Sequence, residues 1–122
     1  MDVALWSAQV LLAVLFAGSG VAKSTMSRER LLATGQTGAA SFPMPLVRFT
    51  AAMELLAAVG LILPWATGIA PALTPLAAVG LCLVMVGAAS SHIRLREARN
   101  TAANGVLFTL CLFVAINRFG QL

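Results

Sequence analysis

Phe49 to Pro64 reads F-T-A-A-M-E-L-L-A-A-V-G-L-I-L-P, an apolar run carrying a single charged residue, Glu54. The length and hydropathy suit a helix crossing a bilayer, and in that solvent the carboxylate is what needs explaining. Inserting an acid at the centre of a membrane helix costs about 3 kcal/mol on insertion scales, so such residues face protein and mark functional positions. On a helix Glu54 shares a face with Thr50, Ala51, Ala57 and Ala58. All are small, and small residues mark the side on which membrane helices approach each other closely. The spacing predicts a spanning helix whose acid points into a bundle.

The rest of the chain agrees. It has 122 residues, 60% of them hydrophobic and only 10% charged, with a mean hydropathy of +0.94. A soluble domain carries about a quarter of its residues as charges. Four apolar runs, approximately 3–21, 46–63, 72–90 and 101–117, approach the roughly 17–25 residues that cross the hydrocarbon as a helix. A backbone in lipid must satisfy its own hydrogen bonds, which leaves helices at these lengths. The expected fold is all-α, a four-transmembrane-helix bundle forming one domain over residues 1–122. A cleaved signal peptide fits the first run poorly. Its leading Met-Asp is acidic where a signal is basic, and its apolar run is too long.

Charge sets the expected topology. Lys23, Arg28 and Arg30 lie between runs one and two, with Arg48 just inside run two, and Arg94, Arg96 and Arg99 lie between runs three and four. With four spans these bases share one face, which the positive-inside rule assigns to the cytoplasm, leaving both termini outside. The net charge of +4 is thus a topological signal. A nucleic-acid partner is excluded, because these bases flank helix ends at lipid headgroups instead of forming a basic stripe.

Between runs one and two, Ser24 to Gly35 predicts a short interfacial helix: Ser27 as its cap, Glu29 in the first turn, Gly35 at its end. Phe42-Pro43-Met44-Pro45 then leads stiffly into run two. Pro64, Gly68 and Pro71 predict a tight turn between runs two and three, with Trp65 at headgroup level. A-A-V-G-L occurs at Ala57–Leu61 and again at Ala77–Leu81. Since those helices run antiparallel, the recurrence reflects a restricted apolar alphabet and not a structural repeat.

Each helix sends a polar group toward the basic end: Lys23 from span one, Glu54 from span two, His92 from span three and Asn104 from span four. At 1.5 Å per residue Glu54 sits about 12 Å inside that end. Lys23 can reach back to it or snorkel outward, and His92, on the face of Ala88 and Ala89, points inward or anchors at headgroups. The four define a candidate ligand-binding pocket. Arg48 lies about 120° round the helix from Glu54 and is a poor partner for it. Gln9 and Ser7 are expected as interhelical hydrogen-bond donors. Cys82 and Cys111 lack C-x-x-C spacing and are expected to pack inertly. One histidine and one buried acid make no metal site, and no catalytic or cofactor-binding motif is visible.

Three stretches carry a family resemblance: L-F-A-G-S-G-V-A-K (Leu15–Lys23), V-R-F-T-A-A-M-E-L-L-A-A-V-G-L-I-L-P (Val47–Pro64) and G-A-A-S-S-H (Gly87–His92). In this order they resemble the DoxX-like family of small bacterial four-helix membrane proteins, over nearly the whole chain. The resemblance implies the bacterial inner membrane, and its matching polar positions are Lys23, Glu54, His92 and Asn104. It also implies a membrane subunit of a redox system, with a quinone as candidate cofactor. Two readings follow. The preferred one is a binding module holding a small amphipathic or quinone-like molecule in the cytoplasmic half of the bundle. The alternative is a non-catalytic assembly or anchor subunit that docks a membrane or redox partner protein, with Glu54 only locking helices. Homo-oligomerisation is compatible with both.

Overall fold

In a computed structural model, described here for residues 2–35, 37–40 and 42–122, the chain forms four long helices and one short one. They are α1 (Asp2–Thr25), α2 (Arg28–Ala33), α3 (Met44–Thr67), α4 (Leu73–Arg94) and α5 (Ala98–Gly120), with a 3-10 turn at Thr37–Ala40. No strand occurs among the described residues. The four long helices are each long and apolar enough to cross a membrane. They alternate in direction, so the turn between α3 and α4 and both termini share one end. Lys23, His92 and the start of α5 share the other, called the basic end below. Helix α1 packs on α3, α3 on α4, α4 on α5, and α5 closes back on α1.

Every long helix exceeds its apolar run in length. Asp2 sits in the first turn of α1 and Lys23 in its last, and Arg118 in the last turn of α5, each matching the sign the helix dipole favours there. Pro43 caps α3, and Pro45 occupies its first turn, where a missing N–H costs nothing. Ser27 caps α2 by accepting from the Arg30 N–H at 3.3 Å. Leu31, the buried residue of α2, packs with Val47, Met26 and Phe42 and ties the short helix to the start of α3.

One boundary differs from expectation. Pro64 lies inside α3 and not in the turn, which begins only at Gly68 (φ 71°). A proline cannot donate to the carbonyl four residues back and crowds it, which leaves backbone acceptors near Gly60 short of partners. Neighbouring helices supply them. Thr74 on α4 donates to the Gly60 carbonyl at 2.7 Å, and Gln9 on α1 donates to the Leu61 carbonyl at 2.5 Å. An unpaired carbonyl in hydrocarbon would cost several-fold more than one facing water, so the proline notch binds three helices together.

Small residues set the helix spacing. A Cβ added at Gly60 would meet the Ala77 Cβ at 3.0 Å, while nothing lies within 4 Å of one at Gly80. The two glycines of the recurring A-A-V-G-L are therefore not equivalent, as the restricted-alphabet reading requires. Gly20 is tighter still. Its added Cβ would lie 2.8 Å from the Leu55 Cγ and 3.1 Å from the Ala51 carbonyl oxygen. Since backbone cannot move aside cheaply, Gly20→Ala is expected to part α1 from α3 at a cost of about 1–3 kcal/mol, read as a lowered melting temperature in detergent. Gly80→Ala should melt like the parent.

The core runs between the helices through Leu12, Phe16, Leu61, Leu81, Met85 and Val114. The outer surface is apolar as well, with Val14, Leu56, Leu83 and Ile116 well exposed. An apolar exterior around an apolar core marks a multi-pass membrane protein with its surface in lipid.

Candidate ligand pocket

The four long helices do not meet evenly. Near the turn, α3 and α4 touch at Gly60 and Ala77, but toward the basic end a cavity of about 510 Å³ separates the bundle's halves. All four polar positions singled out in the sequence line it: Lys23, Glu54, His92 and Asn104. The remaining wall is mainly apolar, with Phe16, Val47 and Met85 among its residues. Leu46 on α3 and Leu83 on α4 line the cavity while remaining 44% and 70% exposed. Leu15 on α1 lines it too and is 45% exposed, so the cavity reaches the apolar outer surface.

Glu54 is fully buried, held on the inner face of α3 between Ala51 and Ala58, which are buried with it. The Lys23 ammonium donates to its Oε1 at 2.7 Å. Lys23 therefore reaches back into the bundle and does not snorkel away. Its backbone carbonyl in turn accepts from Arg48 Nη1 at 2.5 Å, so Arg48 closes the end of α1 and leaves Glu54 alone, in line with the helical angle between them.

The pair is incomplete in one respect. The second carboxylate oxygen, Glu54 Oε2, is buried with no partner among the described residues, and so is the amide nitrogen Asn104 Nδ2. Buried polar atoms are nearly always hydrogen-bonded, so each unmatched one asks for a reason. Here an acceptor and a donor stand unmatched on two residues that line one mainly apolar cavity.

His92 does not bond to Glu54. Its Nδ1 lies 2.8 Å from Glu97 Oε1 and 3.3 Å from Thr37 Oγ1, and the Thr37 hydroxyl donates to the same carboxylate oxygen at 2.7 Å. The hydrogen bond from His92, then that from Thr37, hold the Glu97 carboxyl below its ordinary value. Glu97 and Thr37 were not identified from the sequence. Glu97 sits among three arginines in a short connection, where an acid reads as a solvated counter-charge. Thr37 lies 55 residues from the histidine it meets, and no local pattern marks that contact.

A second polar cluster, also missed, joins the opposite ends of the chain. Arg118 is 1% exposed. Its Nε donates to Gln9 Oε1 at 2.7 Å and its Nη1 to Asp2 Oδ1 at 2.9 Å and Gln121 Oε1 at 2.6 Å. The guanidinium lies over Trp65 at 4.5 Å and Trp6 at 5.5 Å. Trp65 thus stacks on Arg118 as well as standing near the helix end. Gln9 is an interhelical donor as expected, but Ser7 donates to the Val3 carbonyl of its own helix at 2.7 Å. Ser7 lies on the exposed face of α1, where a hydroxyl in lipid has only its own backbone to bond. Cys82 and Cys111 are free and buried in the helix core.

Neither the curated proteins nor the solved structures offer a match to this chain. The family model described as the DoxX-like family matches residues 7–114, a span that takes in α3 and α4 whole, most of α1 and α5, and every cavity-lining polar residue. The chain belongs to the DoxX-like family.

Proposed function

We propose that the cavity binds a small, uncharged amphipathic molecule, a quinone-like ring being one candidate, and that the protein serves as a membrane-embedded binding module. The observation that carries this reading is the unmatched pair of buried atoms, Glu54 Oε2 and Asn104 Nδ2, on two residues that line one mainly apolar cavity. A ligand head group with one donor and one acceptor satisfies both. The charge is already balanced inside the protein, since Lys23 neutralises Glu54, so a charged head group would add an uncompensated ion in a region where ions are costly. Lining residues exposed on the apolar outer surface, such as Leu83, would let a lipophilic body enter from the bilayer without crossing water. A role as membrane subunit of a redox system fits a quinone-like ligand.

The test is binding of an alkylhydroquinone to detergent-solubilised protein carrying Glu54→Gln, Asn104→Leu or both. Each single variant should weaken binding, and their effects should couple by more than about 0.5 kcal/mol, because both residues address one head group. Additive or absent effects with folding intact would instead leave the pair a helix lock in an assembly subunit. We infer that the basic end, with Lys23, Arg94 and Arg99, faces the cytoplasm, as the positive-inside rule favours. Labelling of a cysteine at residue 122 from outside the cell supports this orientation, and labelling only from within reverses it.

A further inference from the structure

The hydrogen-bond pattern at His92 determines which ring nitrogen carries its proton. Glu97 is a carboxylate with a depressed pKa, so its Oε1 only accepts. Thr37 spends its hydroxyl proton on that same oxygen at 2.7 Å, and toward His92 it too can only accept. Both partners of Nδ1 are therefore acceptors, at 2.8 and 3.3 Å. Nδ1 must be the protonated nitrogen, and in the neutral ring Nε2 is then the acceptor. Carboxylates commonly fix histidine tautomers in this way where the other nitrogen has a task. His92 is also a wall residue of the cavity.

We propose that His92, locked as its Nδ1–H tautomer by Glu97 and Thr37, is a specificity-determining acceptor for a ligand hydroxyl. The cavity's ligand then belongs to the class of lipophilic molecules with at least two hydroxyl groups, such as hydroquinones. One hydroxyl donates to Glu54 Oε2 and accepts from Asn104 Nδ2, and the other donates to His92. Glu97 and Thr37 are positioning residues: they touch the imidazole and set its polarity. A bare carbonyl or an ether at the second position finds a lone pair facing its own and is disfavoured. This inference rests on the binding reading above.

His92 is the chain's single histidine, so ¹⁵N-histidine labelling reports on this ring alone. In the ligand-free protein, with the ring neutral, the spectrum should show a protonated Nδ1 and a bare Nε2. Adding an alkylhydroquinone should move the Nε2 resonance, whereas its monomethyl ether, which keeps one hydroxyl for Glu54 and Asn104, should not. In binding assays, His92→Phe should cut the preference for the hydroquinone over the ether at least tenfold. Glu97→Ala, which frees the tautomer without removing the ring, should mix the two tautomer signals and reduce the preference by a smaller factor. A proton on Nε2 in the parent, or a preference unchanged by His92→Phe while Glu54→Gln still weakens binding, overturns the assignment of His92 alone. Failure of the parent to bind either probe overturns the binding reading itself.

Discussion

Lys23→Met should lower the melting temperature more than Glu54→Leu, and the double variant should regain most of the loss. Removing one partner of a buried ion pair strands the other, at about 3–5 kcal/mol when the stranded charge has no exit. The partners differ in that respect. Glu54 is completely buried, whereas the Lys23 side chain is 19% exposed. Without Glu54 the ammonium can swing along its flexible stem toward water. Without Lys23 the carboxylate must ionise in hydrocarbon or take up a proton. Lys23→Met is therefore expected near the upper end, about 4 kcal/mol, and Glu54→Leu nearer 2. Well-packed apolar replacements of a buried pair are often neutral, so the double variant should melt close to the parent. Thermal unfolding of the three variants in one detergent checks the order. Equal losses, or a double variant as unstable as the sum, would show that Lys23 and Glu54 are not each other's partner.

Arg118→Met should be the most damaging single change outside the cavity. It removes three charge-assisted hydrogen bonds and two aromatic contacts, and it leaves Gln9 Oε1 buried without its donor. Hydrogen bonds to a charged group contribute about 1.5–3 kcal/mol when lost, and the stacking adds about 1. A loss of about 3 kcal/mol follows, since Asp2 is 71% exposed on its side chain and rehydrates. Arg118→Lys should recover little, because an ammonium can neither fork between Gln9 and Asp2 nor lie flat on Trp65. Tryptophan fluorescence during thermal unfolding reads both rings directly.

The contrast between these two clusters shows what was legible in the sequence. Glu54 was legible because a charge inside an apolar run has few tolerable environments, and its small neighbours told which way it faced. Lys23, His92 and Asn104 followed from counting alternating spans. The same counting places Asp2 and Arg118 at one end, but nothing local signals that an arginine at a helix end folds inward over two tryptophans. Pro64 misled because proline usually marks a turn. Only the side chains of Thr74 and Gln9, from two other helices, make it tolerable inside α3. The Thr37–Glu97–His92 contact depends on where a connecting segment lands across the bundle, which periodicity does not encode.

The claim on which the account turns is that the cavity holds a lipophilic molecule through Glu54. Its most direct test is mass spectrometry of small molecules that co-purify in mild detergent with the parent and with the Lys23→Met/Glu54→Leu double variant, which should stay folded. The parent is expected to release an uncharged amphipathic molecule with a hydroxyl-bearing head, in near-equal amount to protein, and the double variant to release none. The same molecules from both, or none from a folded parent, would contradict it.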